Sequence, residues 1–133
     1  MRAPVTERAA ATERKALFST LVGLATLGIL LQAVWAGMFI RVDSANDGFW
    51  VAVHARGAEV TILFALAAAV VAFWRLRSRR DLLVGSVVLT VLLVLEAYLG
   101  GLIFHHQGLE VVHFPLALAL MGLAVWLPLR ARR

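Results

Sequence analysis

At 133 residues, 62% of them hydrophobic and 16% charged, with a mean hydropathy of +0.87, the chain has too little polar surface for a soluble domain of its size. A bilayer must be its solvent. The formal charge of +5 does not indicate nucleic acid, because basic and aromatic residues are not gathered on a solvated surface. Cysteine is absent, which excludes structural disulfides, thiolate metal sites, c-type haem attachment and cysteine nucleophiles.

Residues 1–15 carry Arg2, Arg8, Arg14 and Lys15 and read as a basic cytoplasmic segment. The first apolar run, about Ala16–Ile40, exceeds the roughly 20 residues that a 30 Å hydrocarbon core requires. It is too long for a signal-peptide core and no small-x-small cleavage site follows it, so it is expected to remain as a helix. Three further spans are predicted at about Val51–Trp74, Leu82–Phe104 and Val111–Leu129, with 130–133 as a basic cytoplasmic tail. Arg75, Arg77, Arg79 and Arg80 fill the second connection and Arg130, Arg132 and Arg133 end the chain, whereas only Arg41 and Arg56 lie near the other face, beside Asp43, Asp47 and Glu110. By the positive-inside rule both termini and the middle connection are cytoplasmic. Heavy use of Ala, Val, Leu and Arg with a single Lys is the composition of a GC-rich bacterial genome, so the expected location is a bacterial cytoplasmic membrane. Trp35, Trp50, Trp74 and Trp126 cluster near span ends and read as interfacial anchors. Pro115 is expected in the first turn of the fourth helix, where proline is tolerated.

The two halves of the chain resemble each other. Leu31-Gln32-Ala33-Val34-Trp35-Ala36-Gly37-Met38-Phe39 closes the first span and Leu95-Glu96-Ala97-Tyr98-Leu99-Gly100-Gly101-Leu102-Ile103 closes the third. Val53-His54 and Val112-His113 then follow, with Ala58 and Ala117 four residues beyond each histidine. The fold class expected is an all-α membrane protein, a four-transmembrane-helix up-down bundle built from two parallel helix-hairpin repeats. Its pseudo-twofold axis would run along the membrane normal. The second and fourth helices of such a bundle lie diagonally across its core, which brings His54 and His113 toward a shared central object. The small residues around Gly37 and Gly101 either let backbones pack closely or leave a slot for a flat ligand.

Two inward histidines without an open position suit axial ligation of one b-type haem, and electron transfer over oxygen chemistry. Arg56, Arg41 and the outer pair His105 and His106 are candidate partners for propionates at the rim. The plainer alternative is that each histidine is an interfacial hydrogen-bonding residue. His105 and His106 with Glu110 also form a weak copper or zinc candidate, or a wet loop. Glu110 precedes His113 by three residues and is able to orient it, accept a proton or face water. Arg56 and Glu59 are expected to pair with each other. Glu96, deep in the third span, aligns with Gln32. A carboxyl in hydrocarbon is costly, and a structural hydrogen bond to Gln32 or a proton or quinone role are its two readings.

The residues Gln32 or Glu96, a following small-Gly pair, an outer loop and a histidine opening the next helix resemble haem A synthase over about Leu31–Leu127. In that family each half of an eight-helix protein is a four-helix bundle, and histidines on its second and fourth helices flank a haem. The resemblance implies a half-size relative with haem b ligated by His54 and His113. The family's Glu-x-x-His falls here at Glu110 and His113, and Val51 stands at the corresponding place before His54, so oxidative haem chemistry does not carry over. The function implied is electron transfer or haem handling, with an accessory subunit beside quinone or other respiratory membrane proteins as one form of it. A cofactor-free structural or assembly subunit is the alternative. A small transporter using Glu96 is disfavoured by the parallel repeat, and no nucleophile–base arrangement is visible.

Overall fold

A computed structural model describes residues 5–40, 47–103, 105–106 and 108–133. The chain forms four helices: α1 Val5–Phe39, α2 Asp47–Arg75, α3 Arg80–Leu102 and α4 Glu110–Ala131. All four are long and apolar enough to cross a membrane. In hydrocarbon every backbone amide must be satisfied within its own segment, and long apolar runs do this as helices. At 1.5 Å per residue α1 is about 52 Å long and α4 about 33 Å. The excess in α1 is N-terminal: the helix continues through the polar run 5–15, read from sequence as a segment outside the membrane.

Each helix packs on its sequence neighbours, and α4 closes against α1; the diagonals α1/α3 and α2/α4 are not in contact among the described residues. This is the bundle order expected from sequence. Its buried core occupies the basic end, where Phe18, Val22 and Ala25 of α1 meet an alanine stripe of α2 (Ala65, Ala68, Ala72), with Leu82 and Leu89 of α3 and Leu120, Ala124 and Leu127 of α4. Small residues spaced three and four apart let α2 approach its neighbours closely. Large apolar residues on the outer faces stay exposed, as with Leu118 at 77% and Leu63 at 62%, which suits contact with lipid.

Toward the other end the packing loosens. Beyond Ile29, before Thr61, beyond Glu96 and before Leu120, no described helical residue is buried. Polar side chains inside the packed half turn back onto their own helices: Ser86 Oγ donates to Leu82 O at 2.8 Å and Thr61 Oγ1 to Gly57 O at 2.7 Å. Pro115 lies in the second turn of α4, one turn later than expected, so the Val111 carbonyl lacks its helical donor.

The basic end is clamped by charge. Arg79 grips Asp81 with two bonds of 3.1 and 3.0 Å and donates to the Arg130 carbonyl at 2.9 Å, while Arg130 Nε donates to Asp81 at 2.8 Å. Asp81 stands in the first turn of α3 and Arg130 in the last turn of α4, where both also complement the helix dipoles. The network is partly exposed, so Asp81→Ala is expected to cost about 1 kcal/mol. Thermal unfolding in detergent checks this: the midpoint falls for Asp81→Ala and stays for Arg77→Ala, whose guanidinium rests on the Phe73 ring.

Candidate functional site

The loosened half of the bundle holds two histidines, each backed by a polar residue of the preceding helix. His54 stands two turns into α2 and His113 one turn into α4. His54 Nδ1 lies 3.1 Å from the backbone carbonyl of Gln32 on α1. The Gln32 carboxamide reaches the same place: in the orientation that satisfies its neighbours, its nitrogen donates to the His54 carbonyl and its oxygen accepts from Ala58 N–H, both at 2.9 Å. That nitrogen is also 2.9 Å from His54 Nδ1. Gln32 thus suits both neutral tautomers: Nδ1–H donates to its carbonyl, and a bare Nδ1 accepts from its amide.

Gly57 makes this approach possible. A side chain there would collide with the Trp35 ring, and its first carbon would stand 2.7 Å from the Gln32 carboxamide. Trp35, expected as an interfacial anchor, instead packs against α2. The Phe39 ring meets His54 edge-on, with centroids 5.4 Å apart.

His113 is held differently. Its Nδ1 lies 3.0 Å from Glu96 Oε1, with both side chains only 13% and 11% exposed. The contact is close but off the line of a hydrogen bond, and both carboxyl oxygens and Nδ1 are buried without a completed bond among the described residues. Gly100, one turn beyond Glu96, gives the ring its space, since a methyl group there would stand 3.1 Å from His113 Cε1. Neither histidine Nε2 bonds to a described residue. Helices α2 and α4, which carry the two histidines, lie on a diagonal of the bundle with no close backbone approach between them.

The remaining predicted residues fall elsewhere. Arg56 is exposed and pairs with Glu59 at 2.9 Å, as expected, on the outer face of α2. His105 and His106 are exposed in the α3–α4 connection. Gly37 and Gly101 are exposed with nothing within 4 Å of where a side chain would begin; it is Gly100 that touches a histidine. Arg41 lies outside the described residues. Glu110 does not turn to His113 but accepts from Gly108 N–H at 3.0 Å at the start of its own helix. Glu96 does not meet Gln32, because α1 and α3 are diagonal and each residue reaches the histidine of its own hairpin. An apolar groove of about 510 Å³ is lined by Leu27, Leu31, Trp35, Phe49, Val53 and Val60, among others, on α1 and α2.

The two histidines share one pattern of contacts. A ligating imidazole uses one nitrogen and ties the other to a carbonyl or carboxylate, which fixes its tautomer and ring plane. Both rings here have Nδ1 beside such a group and Nε2 uncommitted. No three His, Cys, Asp or Glu side chains converge among the described residues. No protein-family model, curated protein or solved structure matches the chain.

Proposed function

We propose that this protein is a multi-pass membrane protein binding one haem b through His54 and His113, acting in electron transfer or haem handling beside respiratory membrane proteins. The observation that carries the reading is the paired arrangement: two imidazoles on diagonal helices, each with Nδ1 against the preceding helix and Nε2 free. The unburied outer half of the bundle supports it, since a flat guest needs a region where side chains have not closed on each other. The resemblance to one bundle of haem A synthase points the same way. By the positive-inside rule the distribution of arginine favours a bacterial cytoplasmic membrane topology with both termini and the α2–α3 connection inside and the histidines at the opposite face.

Haem held by two imidazoles supplies one-electron oxidation and reduction. The chain's own residues do the holding. Gln32 and Glu96 stand behind the two rings, and Gly57 and Gly100 give those contacts room.

The absorption spectrum of the purified protein tests this. A Soret band with sharp reduced α and β bands is expected, lost in both His54→Ala and His113→Ala and kept in His105→Ala/His106→Ala. Retention of the bands in both single variants would remove the proposal. A cofactor-free assembly subunit is the second reading, favoured by the exposed apolar groove between α1 and α2; it requires colourless protein.

A further inference from the structure

The basic end of the molecule carries a cleft that neither the histidine pair nor the core explains. It has a volume of about 550 Å³ and lies between the N-terminal part of α1 and the end of α2, lined by Ala10, Glu13, Arg14, Leu17, Trp74 and Arg75. The apolar run of α1 begins at Ala16, next to Leu17, and α2 ends at Arg75, which puts the cleft at the boundary between hydrocarbon and water.

Its lining divides by chemistry. Arg14 commits only Nε, to the Ala10 carbonyl of its own helix at 3.0 Å. Arg75 is exposed and makes no hydrogen bond or ion pair among the described residues. Two guanidiniums against one carboxylate leave the lining net positive. Toward the hydrocarbon, Leu17 is 42% and Trp74 67% exposed. Arg77, lying 5.9 Å from the centre of the Trp74 ring, adds a cation and steadies the indole.

A phosphodiester with acyl chains matches both parts of this lining. Arginine presents a planar fork of donors to phosphate oxygens, and a basic pocket between helices at a membrane surface draws anionic headgroups. Free phosphate would use the arginines but not Leu17 and Trp74. We propose that this cleft binds the headgroup of an anionic phospholipid, with its phosphate between Arg14 and Arg75 and an acyl chain along Leu17 and Trp74.

Full-length protein in nanodiscs of mixed phosphatidylglycerol and phosphatidylcholine, released into the mass spectrometer, reports which lipid stays bound. Wild type should retain phosphatidylglycerol with a roughly thirtyfold preference, from two arginines at the surface. Arg14→Gln/Arg75→Gln should bring the ratio near parity, and Arg75→Gln alone, at the exposed end of α2, should lower it partway. Arg132→Gln/Arg133→Gln removes the same charge from the tail and should leave the preference intact. Parity in wild type, or equal loss in the tail variant, would overturn the site. Retention of phosphatidylcholine in place of phosphatidylglycerol would overturn the anionic assignment. Displacement by millimolar inorganic phosphate would transfer the site to the free anion.

Discussion

His113→Ala should destabilise the folded bundle by about 2 kcal/mol while Glu96 remains in place. The substitution removes the polar side chain that stands beside a carboxyl whose oxygens are both buried. Breaking a buried pair costs roughly 3–5 kcal/mol in soluble proteins, whereas polar contacts between transmembrane helices average nearer 0.6 kcal/mol because the separated helices find other partners. A residual exposure of 11% at the Glu96 side chain favours a value between these limits. Unfolding from mixed micelles by a denaturing detergent supplies the measurement. The decisive comparison is Glu96→Leu/His113→Leu: removing both groups should recover most of the loss, since no orphaned carboxyl is left in hydrocarbon. Equal stability of wild type and His113→Ala would show that the pair carries no structural energy.

Gly28→Leu should be comparably damaging, for a steric reason. A Cβ at this position falls onto Thr61 Oγ1 and stands 3.1 Å from both Thr61 Cβ and Cγ2. Thr61 is 2% exposed and its hydroxyl is engaged by the Gly57 carbonyl; being β-branched, it has few rotamers to retreat into. The two helices must therefore separate, and overpacking of this kind costs roughly 1–3 kcal/mol. Gly57 is one turn from Thr61 toward the histidine end, so separation would also draw Trp35 and Gln32 away from His54. Gly28→Ala should lower the unfolding midpoint, Gly28→Ala/Thr61→Ala should regain part of it, and Gly23→Ala, where nothing lies within 4 Å, should leave it unchanged. An unaltered midpoint in Gly28→Ala would mean that the α1–α2 contact is not tight.

The fold was largely legible because its signal is coarse. Apolar runs of about twenty residues mark the helices, and their order follows from short connections. The ends were harder to place. Helix α2 starts at Asp47, four residues before the predicted Val51, because an acidic residue suits a helix N-terminus as well as a loop. Helix α1 runs back to Val5 because Ala9 to Lys15 are strong helix formers whether or not lipid surrounds them.

The site was legible as residues and not as partners. Alignment of the halves put Gln32 level with Glu96, and it was tempting to join them. Diagonal placement of α2 and α4 forces α1 and α3 onto the other diagonal, so the same geometry that gathers the histidines keeps Gln32 and Glu96 apart. Helical spacing put Glu110 beside His113, but the unpaired amide of Gly108 at the start of α4 was nearer. Gly57 and Gly100 differ from other glycines only in what approaches them, which spacing along one chain does not encode.

The backing of the two rings has a consequence for whatever occupies the space between them. One imidazole leans on an uncharged amide and a main-chain oxygen, the other on a carboxylic group. The two halves of the bundle are thereby electrically unequal, and even a perfectly symmetrical guest would have two distinguishable sides once seated.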